Sequence, residues 1–172
     1  MKKKTIPIWS YPVLAAILIL LDQWSKYLVV LHLKGQKDIS LISGVLELTY
    51  LENRGAAFGL LQDQRILFLI SGLLLIVAVF WFFRKASGSP RFLPLKMCLT
   101  ILLAGALGNM IDRVRLGYVV DFIYVKLIDF PVFNVADIYV TVTAFLLVFF
   151  VLCYYKEEDF EEIFGRGKRK TD

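Results

Sequence analysis

The chain has 172 residues, 58% of them hydrophobic and 15% aromatic, with a formal net charge of +5 and a mean hydropathy of +0.67. That is more apolar surface than a water-soluble domain of this length carries, so the composition excludes a soluble globular protein and puts the chain in a lipid bilayer. A hydrocarbon core of about 30 Å needs about 20 predominantly apolar helical residues.

The first run of that kind extends from Pro12 to Leu33 and is broken by Asp22 and Lys26. Its basic MKKK start also suits a cleaved signal peptide. The charged pair interrupts the apolar run, however, and no small-residue cleavage site follows, so the span is expected to stay. Asp22 and Lys26 are four apart and share a helix face, where they form an ion pair that orients the span or make contact with a substrate. Next, "VLELTYLEN" alternates in the period-two manner of a strand, and "GAAFGLL" suits a short amphipathic helix on the membrane surface. A second span, Ile66 to Phe83, holds no charge.

The third span runs from Leu95 to Ile111, with Lys96 near its start and Gly105 and Gly108 as small packing residues. Its far end reads "GNMIDR", where Asn109, Asp112 and Arg113 lie at spacings of three and four and present amide, carboxylate and guanidinium to one side. "YVVDFIYVKL" follows, rich in β-branched and aromatic residues, and is expected to add a strand to a small sheet. Asn134 precedes Asp137 by three, the spacing of a helix N-cap and its N3 acid, so capping accounts for "NVAD" taken alone. It gives no reason for Asp121 in an otherwise apolar strand. The fourth span, Val135 to Tyr155, is charged only at Asp137, and the tail "KEEDFEEIF" with its basic run reads as a solvated helix and end.

MKKK, RKASGSPR and GRGKRK are expected on the cytoplasmic side, because short basic flanks stay inside. Both termini then lie inside, residues 34 to 65 and 112 to 134 lie outside, and Asp121 and Asp137 fall at one depth. The inventory of reactive groups is short. One histidine, His32, lies near the outer end of the first span, while Cys98 and Cys153 lie near inner ends, so no Cys-His pair forms. There is no HExxH or zinc cluster, no GxSxG elbow and no Gly-rich phosphate loop. Two close carboxylates remain, and such a pair shares one proton: one group can take a proton from water while the other gives one to a carbonyl oxygen.

"DQWSK" (22 to 26), "NRGAAFG" (53 to 59), "GNMIDR" (108 to 113), "GYVVDF" (117 to 122) and "FNVAD" (133 to 137), in this order, make the sequence resemble bacterial lipoprotein signal peptidase, also called signal peptidase II. The resemblance covers the whole chain apart from the tail. It implies an all-α polytopic membrane protein of four transmembrane helices with a small extracytoplasmic β-sheet and a surface helix. Residues 1–155 would form a single peptidase domain and 156–172 a cytoplasmic charged tail. It further implies an aspartic endopeptidase of the bacterial cytoplasmic membrane that cuts prolipoproteins just before a diacylglyceryl-modified cysteine. Asp121 and Asp137 match the catalytic aspartates; Asp22, Lys26, Asn53, Gly55, Asn109, Asp112, Arg113 and Asn134 match positions that bind substrate or support the pair. No metal or organic cofactor, no nucleic acid and no obligate protein partner is implied, and the partners expected are the lipidated precursor and membrane lipids. Intramembrane carboxylates also mark ion- or proton-coupled transporters, but a relay would need polar groups across the whole membrane, and here they gather at one side.

Overall fold

The computed structural model describes residues 6–55, 64–86 and 89–165. Among them, helices α1 (Ser10–Leu33), α2 (Arg65–Lys85), α3 (Leu93–Arg115) and α4 (Val135–Phe149, continued by a π turn, Phe150–Tyr154) are each long and apolar enough to cross a bilayer. Three strands, β1 (Ile39–Ile42), β2 (Leu46–Asn53) and β3 (Val119–Val125), form an antiparallel sheet in the order β1-β2-β3. The surface helix expected over "GAAFGLL" lies outside the described residues beyond Gly55.

Large apolar side chains such as Leu20, Leu74, Phe80 and Phe145 remain exposed, as lipid-facing residues should. Between helices in lipid there is little hydrophobic gain, so close packing and polar links hold a bundle together. Both are concentrated on α3. A β-carbon on Gly105 would stand 2.6 Å from the Ala136 carbonyl oxygen, and one on Gly108 would stand 2.5 Å from Asp22 Oδ2. The two glycines therefore let α3 lie directly against α4 and α1. Helix α3 runs four residues further than the apolar run suggests, and protein contacts hold Asp112 and Arg113 there: Asp112 accepts from Val120 N and Arg113 donates to Gly55 O. Gly117, at φ +85, then turns the chain back into β3.

The sheet sits over the end of α1. Val120 and Phe122 of β3 pack with Val29 and Leu33 of α1 in one buried cluster. Asp121, between them, points to the opposite face because side chains alternate along a strand. After β3 the loop returns and Phe133 bridges to Ile123: Ile123 N donates to Phe133 O at 2.8 Å and Phe133 N donates to Ile123 O at 3.0 Å. This pins the residue before Asn134 to the strand that carries Asp121.

At the other end of the bundle the structure departs from the sequence reading. The tail helix α5 (Glu157–Phe164) is docked, with Ile163 buried in a cluster with Phe82, Ala86, Phe92 and Tyr155. Arg91 donates to both oxygens of Asp159, at 2.9 to 3.2 Å, and to the Tyr154 carbonyl at 2.6 Å. The acid-rich composition suggested solvent on every side; the apolar positions Phe160 and Ile163, three apart, form the face that sequence reading passed over.

Candidate active site

Asn134 organises the site. Its backbone conformation is extended, its side-chain oxygen accepts from Asp137 N at 3.0 Å, and its own backbone N donates to Asp137 Oδ2 at 3.1 Å, which completes a capping box at the start of α4. The capping foreseen from the spacing is real. The same residue also donates through Nδ2 to Asp121 Oδ1 at 2.6 Å and to Asn109 Oδ1 at 3.1 Å. Each aspartate thus has one oxygen held by Asn134, which ties their positions to each other.

The remaining oxygens are held by two more amides. Asn53, opposite Val119 in the β2–β3 ladder and diagonal to Asp121, donates to Asp121 Oδ2 at 2.7 Å. Its own oxygen accepts from Gly55 N at 2.9 Å, which fixes the amide's orientation. Asn109 of α3 donates to Asp137 Oδ1 at 2.8 Å and accepts at Oδ1 from Lys26 Nζ at 2.9 Å. A cation is therefore linked to the second aspartate through one amide.

Asp121 is almost fully buried, at 1% exposure. Burial, then the neighbouring Asp137 charge, pushes its carboxyl up to about 6, against the opposing hydrogen bonds from Asn53 and Asn134 and the Lys26 charge. A carboxyl so placed is half protonated near pH 6, far above the ordinary range for an aspartate. Asn53, Gly55, Asn109, Arg113, Asp121 and Asp137 line one cleft of about 390 Å³, walled on its other side by Phe130, Val132, Ile138 and Val142. The chemistry available there is proton transfer to and from water beside an apolar surface.

The other residues singled out in the sequence lie behind the cleft. Lys26 pairs with Asp22 at 2.9 Å and also with Asp112 at 3.0 Å, all three nearly inaccessible. Asp22 Oδ1 accepts from Ala136 N at 3.0 Å, so a carboxylate of α1 satisfies a free amide at the start of α4. Asp112 Oδ2 accepts from Val120 N at 3.2 Å and ties α3 to β3. Of the two roles left open for Asp22 and Lys26, the structure fits ion pairing, with Asp112 as an unforeseen third member. Within "GNMIDR", Asn109 and Asp112 both meet Lys26 of α1, Asn109 also donates to Asp137, and Arg113 reaches Gly55 O, at 3.1 Å, and the Phe68 ring.

Sequence reasoning missed Gln23, whose Nε2 donates to Asp22 Oδ2, Gly108 O and Asp112 Oδ1 at 2.9 to 3.2 Å. A neutral polar residue beside a charge inside an apolar run was the available signal.

Comparison with known proteins bears on this arrangement. A family model described as signal peptidase (SPase) II matches residues 14–153. A lipoprotein signal peptidase of Streptococcus thermophilus (strain CNRZ 1066) is 45% identical over 150 residues, covering 87% of this chain and 95% of its own. One from Streptococcus pyogenes serotype M5 (strain Manfredo) is 40% identical over 144 residues, covering 84% and 91%. A solved structure described as a bacterial membrane enzyme superposes with a TM-score of 0.78 at 32% identity, over 91% of this chain and 98% of that one. A second so described gives 0.77 at 34% identity, over 90% and 99%.

Proposed function

Since this chain belongs to the signal peptidase II family of membrane proteases, we propose that it removes signal peptides from diacylglyceryl-modified prolipoproteins, cutting just before the lipidated cysteine, with Asp121 and Asp137 acting on water. The observation that carries the reading is the double grip of Asn134, which holds one oxygen of Asp121 and one of Asp137 beside a single cleft. Asp137, at a helix N-terminus that favours a carboxylate, takes a proton from the attacking water; Asp121, buried and protonated, gives one to the carbonyl oxygen. As the tetrahedral intermediate collapses, the scissile C–N bond breaks, the leaving amine takes up the proton that Asp137 received, and a hydroxyl of the diol returns its proton to Asp121. Asn109 and Arg113, at the cleft wall, are placed to steady the substrate backbone. Residues 1–155 carry the peptidase machinery, and α5 packs against that unit through Ile163 and Asp159.

Incubation of the purified protein with a lipidated precursor, followed by mass analysis of both products, tests this directly. The expected product begins with the diacylglyceryl cysteine, and an unlipidated precursor stays uncut. Equal processing of the unlipidated form would oppose the assignment.

The basic flanks support a topology with both termini in the cytoplasm and the aspartates near the outer face. In sealed cells, single cysteines at Gln36 and Leu127, in a chain lacking Cys98 and Cys153, are expected to react with an impermeant thiol reagent. Protection of both positions would reverse the orientation.

A pH dependence follows from the buried carboxyl. The proton on Asp121 is lost as pH rises through about 6, so kcat/KM is expected to fall about tenfold per pH unit beyond that point. The limb in kcat should lie at higher pH, because substrate filling the cleft removes more water from the carboxyl. The raised value also means that protonation favours the folded state. That contribution is complete below the ordinary value of about 3.9 and lost as pH rises through about 6. A kcat/KM flat from pH 5 to 8, an interval spanning the expected limb by about one unit or more on each side, would remove Asp121 from the acid role.

A further inference from the structure

A second opening reaches the aspartate end of the bundle. Between α2 and α3 lies a crevice of about 260 Å³, whose lining includes Phe68, Gly72 and Leu75 on one side and Ala106 and Met110 on the other. Asn109 and Arg113 line both this crevice and the aspartate cleft, so the two meet at those side chains. Phe68 to Leu75 and Arg113 to Ala106 each descend about 10 Å along their helices, from the level of the aspartates toward the bilayer centre. Gly72 keeps the crevice open: a β-carbon there would stand 2.9 Å from the Met110 sulfur.

Its polarity is graded. At the aspartate end the Arg113 guanidinium stands 4.2 Å from the Phe68 ring centroid and donates to Gly55 O. Deeper, Gly72, Leu75, Ala106 and Met110 bring no charge, and the Ser71 hydroxyl is taken up by Phe68 O at 2.9 Å. Size decides what fits. Spread over about 10 Å of depth, the volume averages about 26 Å² in cross-section, enough for one hydrocarbon chain about 4–5 Å thick and far too little for a helix about 10 Å across. Lateral access for a signal helix therefore belongs to the larger cleft beside α4.

We propose that the α2–α3 crevice binds one acyl chain of the substrate's S-diacylglyceryl group, with the ester region beneath Arg113 and the chain running past Gly72 and Met110. This rests on the function proposed above. The scissile bond is the peptide bond to the lipidated cysteine's own nitrogen, so polypeptide and lipid must leave the aspartates by different routes, and the geometry provides two. Seating a chain here would hold that bond at the aspartates and make lipidation a requirement for cutting rather than a mere membrane tether.

The test uses the full-length protein and a precursor carrying a diazirine near the middle of its acyl chains. Wild-type cleavage of this precursor is measured first, and its absence would bring down the functional reading and the crevice assignment with it. The probe is then bound to the Asp121→Asn variant, irradiated and mapped. Crosslinks to Leu75 or Met110, suppressed by unlabelled lipidated precursor, are expected. Labelling confined to Ile138 and Val142, or no labelling of α2 and α3, would overturn the assignment while leaving the function intact. Equal labelling of the crevice by a diazirine phospholipid at saturating precursor would show that bulk lipid occupies it, and would overturn the assignment too. In the wild-type background, Gly72→Leu should raise KM for a long-chain precursor about tenfold with kcat nearly unchanged, and spare a short-chain one. Equal losses on both would point to damaged packing and count against the crevice.

Discussion

Asp121→Asn and Asp137→Asn are each expected to lower cleavage of a lipidated precursor by about 10³-fold or more, and the double variant should be scarcely worse than either alone. In the proposed mechanism each aspartate needs the other: without Asp137 no base would draw the proton from water, and without Asp121 no acid would meet the developing charge on oxygen. Both substitutions also disturb packing in a way the structure specifies. Asp121 accepts from the amide groups of Asn53 and Asn134, so an amide in its place sets one NH₂ against another. At Asp137 the new amide must give up either the capping bond to Asn134 N or the bond from Asn109. Asn109 cannot turn to accommodate it, because its oxygen is held by Lys26 and Asn134. Each variant should therefore lose about 1–2 kcal/mol of stability. Activity must accordingly be compared at equal amounts of monodisperse protein. A capping role alone predicts the small stability loss with turnover nearly intact, and turnover within about tenfold of wild type in either variant would exclude the paired mechanism.

Lys26→Met is expected to be the most damaging single change to folding, costing about 3–5 kcal/mol, because it strands two buried carboxylates beside each other. Asp22 and Asp112 have 0% and 3% exposure and share the Lys26 ammonium as their cation. The membrane offers no water to replace it. Between them these carboxylates hold Ala136 N at the start of α4 and Val120 N in β3, so their displacement moves both aspartate-bearing elements. Charge accounts for the expected rescue: Lys26→Met combined with Asp22→Asn and Asp112→Asn should recover folded yield, whereas Asp22→Asn alone leaves a one-to-one pair and should be mild. Thermal unfolding in detergent measures all three. A Lys26→Met protein as stable as wild type would mean that the ion triad contributes nothing to the bundle.

Much of the architecture was legible before any coordinates. Length and hydropathy are local properties, so the spans at Pro12–Leu33, Ile66–Phe83, Leu95–Ile111 and Val135–Tyr155 matched the helices to within a few residues. The strand alternation in "VLELTYLEN" did the same for β2. Boundaries were less accurate where protein rather than lipid satisfied the polar groups, as at the end of α3 carrying Asp112 and Arg113. The docking of α5 escaped notice because five acids in eight residues outweigh three apolar positions in any composition count.

Sequence by itself determined that this chain is a membrane protein of four spans, that its candidate reactive groups are carboxylates, and which two of them stand out. Those conclusions need only residue type and spacing, since hydrophobic length and helical or strand period are set by a residue's near neighbours. Only the tertiary structure decided what each polar side chain faces. Asn134 had a readable local role as a cap, yet its grip on Asp121 depends on Phe133 being pinned to β3. Asp22 and Lys26 had a readable local pairing, yet Asp112 joins them from a residue 86 positions after Lys26 because Gly105 and Gly108 let three helices touch. Directional hydrogen bonds between segments distant in sequence are set by how backbones pack, and no local pattern encodes that packing.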